Sequence, residues 1–339
     1  MQSTIKIKMN HNEKDFEFYF NHILTKGRKD NTYKFALARF LLDFSRDSDE
    51  THIKNAIKNN SKIIVKYSTI AKYFLKYYWH QECKYKIRQN PHLEKPPLVI
   101  QIIHKVFGKK YIPDLFRKMP PDKIRKAELE ITKKCFSEVI PRFQTVSEGS
   151  KFSGKTIFYE YDGLEHEIHI VPEVLLFFKE NYTLLLKAVL LEWAKFLEKL
   201  NTSLPRLISK IESDEIKRSS LTEYRKILEP YFKNCFYCDR KLEGQEVHVD
   251  HFIPWSYIFE DELWNFILSC RDCNCKKLGS LAPEAYVKKI IDRNRDYQNK
   301  IPELKKSLNI LDSGKGWEKA LNDHYENCNS YGFTVANIT

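Results

Sequence analysis

Apolar positions recur at helical spacing through most of the first 200 residues. FEFYFNHIL, YKFALARFLLDF and STIAKYFLKYYW carry large side chains three and four apart, which predicts helices between Asp15 and about Gln81. Ser68 and Thr69 are expected to cap the third, and the run from Ile63 to Val65 ahead of it to form a short strand. HLEKPPLVIQIIHKVFG predicts a proline-started helix closed by Gly108, and PPDKIRKAELEITKKCF another opened by Pro121 and Asp122. The period then falls to two. In KTIFYEYDGLEHEIHI two alternating runs flank Asp162-Gly163, a pair suited to a two-residue type I′ turn, so a hairpin is expected near 155–170. His166 and His169 then share one strand and point to opposite faces, which argues against a common metal. Helical spacing returns from Pro172 to Leu200, with a break at Asn181 and Tyr182. LLLKAVLL, from Leu184 to Leu191, is interrupted by Lys187 and falls short of the roughly 18 apolar residues of a bilayer span, so it is read as a core helix. Tyr77, Tyr78 and Trp79 sit beside apolar helical positions and are read as core rather than as base-stacking groups.

The polar stretch from Asp214 to Ser220 is the best boundary. It divides the chain into residues 1–213, mainly helical and suited to recognition or assembly, and residues 214–339. Beyond Leu281 three helical patterns run to about Ser330, and FTVANIT is either a short strand or a loose end. The fold class expected is α+β, mainly helical, and 339 residues suffice for two domains that each bury a core.

Charge adds a partner class without choosing one. The formal net charge of +12, from 57 Lys and Arg against 45 Asp and Glu, favours a polyanion, as it does in ribosomal and membrane-peripheral chains. The opening residues MQSTIKIKMNHNEKDF contain no apolar signal core, so a cytoplasmic protein without membrane association is expected. Eight cysteines in a reducing compartment point away from disulfides. Cys83, Cys135 and Cys328 stand alone, but four others form two Cys-x-x-Cys pairs, which points toward metal.

Those pairs, Cys235 with Cys238 and Cys270 with Cys273, are separated by 31 residues. Four thiolates at this spacing can close a tetrahedral zinc site with no position left for substrate, hence a structural one. Between them lies VHVDHFIPWS. On a strand, His248 and Asp250 point to one side, with His251 beside them where Pro254 ends the strand. Asp250 can hold a hard divalent cation and a neutral His251 can take a proton from water, the combination that phosphodiester hydrolysis needs. Asn274, read as the start of a helical stretch, offers an amide oxygen to the same cation. Lys276 and Lys277 offer charge to phosphate, His248 is either a further ligand or phosphate contact or a plain strand residue, and Cys275 is expected to be small and buried.

The stretch from Cys235 to Leu278 resembles the HNH endonucleases, the ββα-metal nucleases, in their zinc-knuckle subclass: CFYC, then VDHFIP, then Asn265 in LWNFILSC, then CRDCNCKK. The resemblance implies two strands and a helix gripping one metal ion. Asp250 and Asn274 would be its ligands, His251 the general base, Asn265 the residue orienting the histidine-bearing loop, and Lys277 a phosphate contact. Direct attack by water would leave 5′-phosphate and 3′-hydroxyl ends. The family often places a second histidine where this chain has Asn274, which favours Mg²⁺ or Mn²⁺ over Zn²⁺ at the catalytic position. TYKFALARFLLDF, the hairpin, VLLEWAKFLEKLN and PRLISKI ahead of the cysteines are similar to larger bacterial HNH proteins found among restriction and anti-phage genes.

The function expected is a metal-dependent DNA endonuclease with structural zinc and catalytic Mg²⁺ or Mn²⁺, acting on double-stranded DNA. Two coordinated cuts would need a homodimer, and a nuclease this basic is expected to be restrained by an activating partner or by a demand for modified DNA. Two other readings remain: an RNA-cleaving HNH nuclease, and a non-catalytic zinc-finger module that only binds nucleic acid or protein.

Overall fold

A helix apolar on every side is one that other helices surround, and the run from Phe35 to Leu42 meets that condition except at Arg39. In the computed structural model, which describes residues 13–338 except 28, 93, 110–111, 113–115, 145–146, 149–150, 153–156, 213–219, 244–246 and 313, each residue of that run is buried. The chain is α+β and mainly helical, and it divides into two units. The first comprises Met1–His80, Arg88–Gly108 and Phe116–Asn201, the second Gln81–Ile87, Lys109–Leu115 and Thr202–Thr339.

The first unit contains, in chain order, α1 (Glu13–Thr25), α2 (Tyr33–Asp47), α3 (Glu50–Lys58), β1 (Ile63–Lys66), α4 (Tyr67–Trp79), α5 (Leu98–Phe107), α6 (Pro121–Lys134), α7 (Val139–Phe143), β2 (Ser147–Glu148), β3 (Lys151–Phe152), β4 (Tyr159–Asp162), β5 (Glu167–Ile170), α8 (Pro172–Glu180) and α9 (Tyr182–Glu198). α2 is central, with α4, α8 and α9 packed around it. Tyr77, Tyr78 and Trp79 are core, at most 2% exposed. Two charged groups are buried on α2: Arg39 lies 3.5 Å from Asp43, and Asp43 accepts the Tyr182 hydroxyl at 2.7 Å and the Tyr77 hydroxyl at 2.5 Å. In α9, Leu185, Val189, Leu190, Trp193 and Leu197 are buried but Leu184 and Leu191 face out, so LLLKAVLL is half core and half surface.

Three local expectations are corrected. α4 starts at Tyr67, ahead of the expected caps Ser68 and Thr69, because the Tyr67 N–H donates to the His166 carbonyl at 2.7 Å. α3 went unforeseen because it buries only Ile53 and Ala56; it is started by Asp49, which accepts the His52 N–H at 2.8 Å. The hairpin turn is four residues, not two, since Asp162 pairs with Glu167 across it. The Asp162 Oδ1 atom accepts the Leu164 and Glu165 N–H groups at 2.8 and 3.0 Å, the local bonding that suits aspartate to turns. His166 closes the turn at φ 57 and so lies outside the strand that carries His169. β4 pairs with β5, and β5 with β1, in an antiparallel sheet ordered β1-β5-β4. Residues 155–156 of the expected hairpin and 214–219 of the expected boundary lie outside the described residues.

The second unit contains α10 (Leu207–Glu212), α11 (Thr222–Leu228), β6 (His248–His251), α12 (Trp255–Ile258), β7 (Phe266–Ser269), α13 (Arg271–Lys277), α14 (Val287–Tyr297), α15 (Pro302–Leu311) and α16 (Trp317–Ser330). β6 and β7 are antiparallel, α13 packs on β6, and α11 lies against both strands. The three helices expected beyond Leu281 are present, and Val335 in the tail bridges in parallel to Leu281. Among the described residues, no helix is long and apolar enough to cross a membrane.

Candidate active site

The cysteine pairs are brought together by a turn and a strand end. The Cys235 N–H donates to the Arg240 carbonyl and the Asp239 N–H to the Cys235 carbonyl, at 2.7 and 3.0 Å, which curls CFYC back on itself; Asp239 takes the left-handed conformation at φ 59. The Phe236 N–H donates to the Leu268 carbonyl at 2.8 Å, which pins the turn to β7, and β7 runs directly into Cys270 at the cap of α13. The four sulfurs lie within 4.8 Å of one another, with Cys238 and Cys270 at 3.8 Å. A tetrahedral ion with Zn–S bonds of about 2.3 Å needs sulfurs about 3.8 Å apart, so the four side chains fit zinc. Burial pushes the Cys273 and Cys235 thiols up, a cost that metal binding would offset by fixing both as thiolates.

β6 carries the acid and the base. Asp250 stands opposite Ile267 and His251 opposite Phe266 in the ladder, and both residues are buried at 7% exposure. The Tyr237 hydroxyl donates to Asp250 Oδ2 at 3.0 Å. Burial, and then the adjacent Asp250 carboxylate, raise the Tyr237 phenol well above its ordinary range, which keeps it a donor. The Lys277 ammonium lies 3.2 Å from Asp250 Oδ2 and donates to the His251 carbonyl at 2.5 Å. A carboxylate offers about four acceptor positions. Tyr237 and Lys277 use about half of that capacity, so Asp250 retains lone pairs for a hard cation.

The loop after His251 is fixed from the other strand. Asn265, fully buried, accepts the Ile253 N–H through Oδ1 and donates Nδ2 to the Ile253 carbonyl, both at 2.8 Å, while its own carbonyl accepts the Phe252 N–H at 2.8 Å. The His251 ring meets the Phe266 ring edge to face at 4.6 Å between centroids, and its Nε2 atom hydrogen-bonds Asp261 Oδ1 at 2.9 Å. A carboxylate can only accept, so the proton of a neutral His251 sits on Nε2 and its lone pair on Nδ1. The Tyr224 hydroxyl donates to the Asp261 carbonyl at 3.0 Å, which ties that residue to α11.

The structure thus brings Asp250, His251, Asn265 and Lys277 together around one loop. Asn274 is half-buried and, instead of opening the helix, lies in the middle of α13, three residues before Lys277 and so on an adjoining face. Lys277, expected as a phosphate contact, is 1% exposed with its ammonium turned to Asp250; the aliphatic stem crosses the interior between α13 and β6. Lys276 is exposed on α13 and His248 half-buried on β6. Cys275, expected to be buried, is exposed, because Cys273 and Lys277 take the inward face of the short helix. Asp261 and Tyr237 were not singled out in the sequence. Tyr237 lies inside the first Cys-x-x-Cys pair, and Asp261, in the acidic run EDE, has no spacing that ties it to His251.

Residues 235–282 match the family model described as HNH endonuclease. That match, together with the four-cysteine cluster, supports an HNH family for this module. Residues 12–104, most of which belong to the first unit, match a domain of unknown function (DUF8808). No curated protein matches the chain, and no solved structure does. The HNH match ends at residue 282, so α14, α15 and α16 lie outside it.

Proposed function

We propose that the chain is a metal-dependent endonuclease that hydrolyses phosphodiester bonds in DNA through the module around β6, β7 and α13. The observation that carries this reading is His251 held by the Asp261 carboxylate beside Asp250, on a loop locked by Asn265. Binding alone needs no carboxylate next to an oriented imidazole, which is why a purely structural zinc finger is the weaker reading. Asp250 and Asn274 would hold a Mg²⁺ or Mn²⁺ ion, with His248 as the neighbouring candidate; when bound, such an ion neutralises charge on the phosphate oxygens. The remaining work falls to the protein. Nδ1 of His251 accepts the proton of the attacking water, and Asp261 on Nε2 stabilises the imidazolium that forms. Asn265 sets the direction of the ring through the backbone that follows it. Lys277 fixes the Asp250 carboxylate and the His251 carbonyl, and Lys276 supplies charge toward the phosphate from the exposed side of α13.

The substrate is assigned as double-stranded DNA in preference to RNA, and the setting as restriction or anti-phage defence, on the likeness noted in the sequence. One module cuts one strand, so double-strand cleavage calls for a homodimer. An activating partner or a modified-DNA requirement would restrain it. The test is cleavage of supercoiled plasmid and of labelled RNA by zinc-loaded protein, with Mg²⁺, with Mn²⁺ and with neither, wild type beside His251→Ala. Metal-dependent nicking or linearisation by wild type alone supports the reading, and the nick-to-linear ratio reports the strand count. A folded His251→Ala protein that cuts as fast as wild type overturns it, and cleavage of RNA alone moves the substrate to RNA.

A further inference from the structure

The positive charge of this protein belongs to one part of the chain. Residues 1–201 hold 36 Lys and Arg against 24 Asp and Glu, whereas residues 202–339 hold 21 of each. A general compositional drift toward lysine would act along the whole chain, and the balanced second part excludes it. The module assigned to cleavage therefore has no net charge with which to gather a polyanion.

Within the first unit part of that surplus is displayed on α6. That helix packs on α4 and α5 and buries Ala127 and Ile131, while Lys123, Arg125, Lys126 and Lys133 are exposed. Of the three acids on the helix, Asp122 is exposed in its first turn and the other two are engaged. Glu130 is held by Lys105 of α5 at 2.6 Å and by Lys134 at 2.9 Å, and these two ammonium groups lower its carboxyl to about 2. Glu128 is half-buried, and burial raises its carboxyl while Lys72 of α4 opposes that. Among the described residues, none of Lys123, Arg125, Lys126 and Lys133 has a carboxylate partner. In the second unit several exposed cations are paired instead: Lys226 with Glu223, Arg240 with Asp272, Lys289 with Asp239, and Arg295 with Asp292 and Glu318. Lys126 and Lys133 are two helical turns apart on one face, about 10 Å at 1.5 Å per residue, a span that covers neighbouring phosphates of a duplex.

We propose that the outward face of α6 binds the phosphate backbone of double-stranded DNA and supplies most of the chain's affinity for its substrate. The choice of DNA rests on the endonuclease reading above, but the binding itself is separable from cleavage. The experiment measures binding of a short DNA duplex, and of a duplex RNA of the same length, by zinc-loaded His251→Ala protein without added Mg²⁺ or Mn²⁺. Lys126→Glu/Lys133→Glu is compared with Lys187→Glu/Lys199→Glu, on α9 and at its C-terminal cap, which changes the net charge equally at a distant position in the sequence. The α6 pair should weaken DNA binding at least ten-fold near physiological salt and reduce the slope of log Kd against log salt by about two, one for each lost phosphate contact. The α9 pair should change Kd by less than about two-fold. Lys126→Ala/Lys133→Ala, which removes charge without reversing it, should fall between them, with unchanged melting showing that the fold is intact. Equal losses for the α6 and α9 pairs, or no loss for either, overturn the proposal, and a loss confined to duplex RNA overturns the choice of DNA. If plasmid stays uncut under every metal while α6 variants still lose DNA affinity, the nuclease reading fails and this one stands; the converse result separates them the other way.

Discussion

In the first unit the most enclosed element, α2, presents Phe35, Leu37, Phe40 and Leu41 to its neighbours, and Asp43 near its end is met by two tyrosine hydroxyls. In the second unit the enclosed strand β6 presents Asp250 and His251, and elsewhere in the unit Asn265, Lys277 and Lys210 are buried as well. Lys210 donates to the Pro205 and Tyr257 carbonyls, and burial lowers its pKa well below the ordinary range. Apolar side chains ask only to be covered, so that part of the first unit has many interchangeable ways to be stable, although Thr32, Arg39 and Asn201 are buried there as well. Buried polar groups each need a partner at a set distance, so the second unit has few, and it relies on a cysteine cluster to fix one of them.

The comparison is tested most severely by the metal. Stripping zinc, or Cys235→Ser with Cys273→Ser, should remove on the order of 10 kcal/mol of folding energy from the second unit. Hydrogen exchange would show β6 and β7 becoming fast while α2 stays protected; simultaneous loss in both units would break the contrast. Phe35→Ala should do the reverse, costing about 3–5 kcal/mol in the first unit and speeding exchange in α2 and α9, with β6 unaffected. Asn265→Ala orphans the N–H and the carbonyl of Ile253, each worth about 1–3 kcal/mol. Its thermal midpoint should fall with that of the second unit, and an unchanged midpoint would mean that water replaces the amide. Asp261→Asn keeps the shape but loses the charge on Nε2 of His251. Single-turnover cleavage should slow by about 10–100-fold, equivalent to about 1.4–2.7 kcal/mol in the barrier, with melting shifted by less than about 1 kcal/mol. A slowing matched by an equal loss of stability would reduce Asp261 to a packing role. The smallest effect is at Glu130. Its carboxyl is lowered from the ordinary 4.5 to about 2 by Lys105 and Lys134, so the pairing is complete above pH 4.5 and is lost as pH falls toward 2. A carboxyl resonance of Glu130 titrating near 4.5 would show that the two lysines leave it alone.

Much of this is legible in the sequence. The helices from α1 to α9 follow from runs of apolar residues at 3.6 spacing, apart from α3, whose two buried residues make no run, and the short α7. The zinc cluster follows from two Cys-x-x-Cys pairs, because metal geometry constrains spacing within each pair. The hairpin was placed correctly, but its turn was misjudged: Asp162-Gly163 fits a two-residue turn locally, whereas pairing of β5 with both β1 and β4 sets a register that needs four.

What the sequence determined by itself is the chemistry available: four thiolates, the Asp250-His251 pair, two asparagines at informative places and a net positive charge. Tertiary structure decided which groups meet. Only folding carries Asp261 to His251, Tyr237 to Asp250 and Lys277 inward from the surface of α13. The reason is physical: a local pattern reports what a residue does to its own helix or strand, but a hydrogen bond across ten or more residues depends on the register and packing of elements that the pattern leaves free.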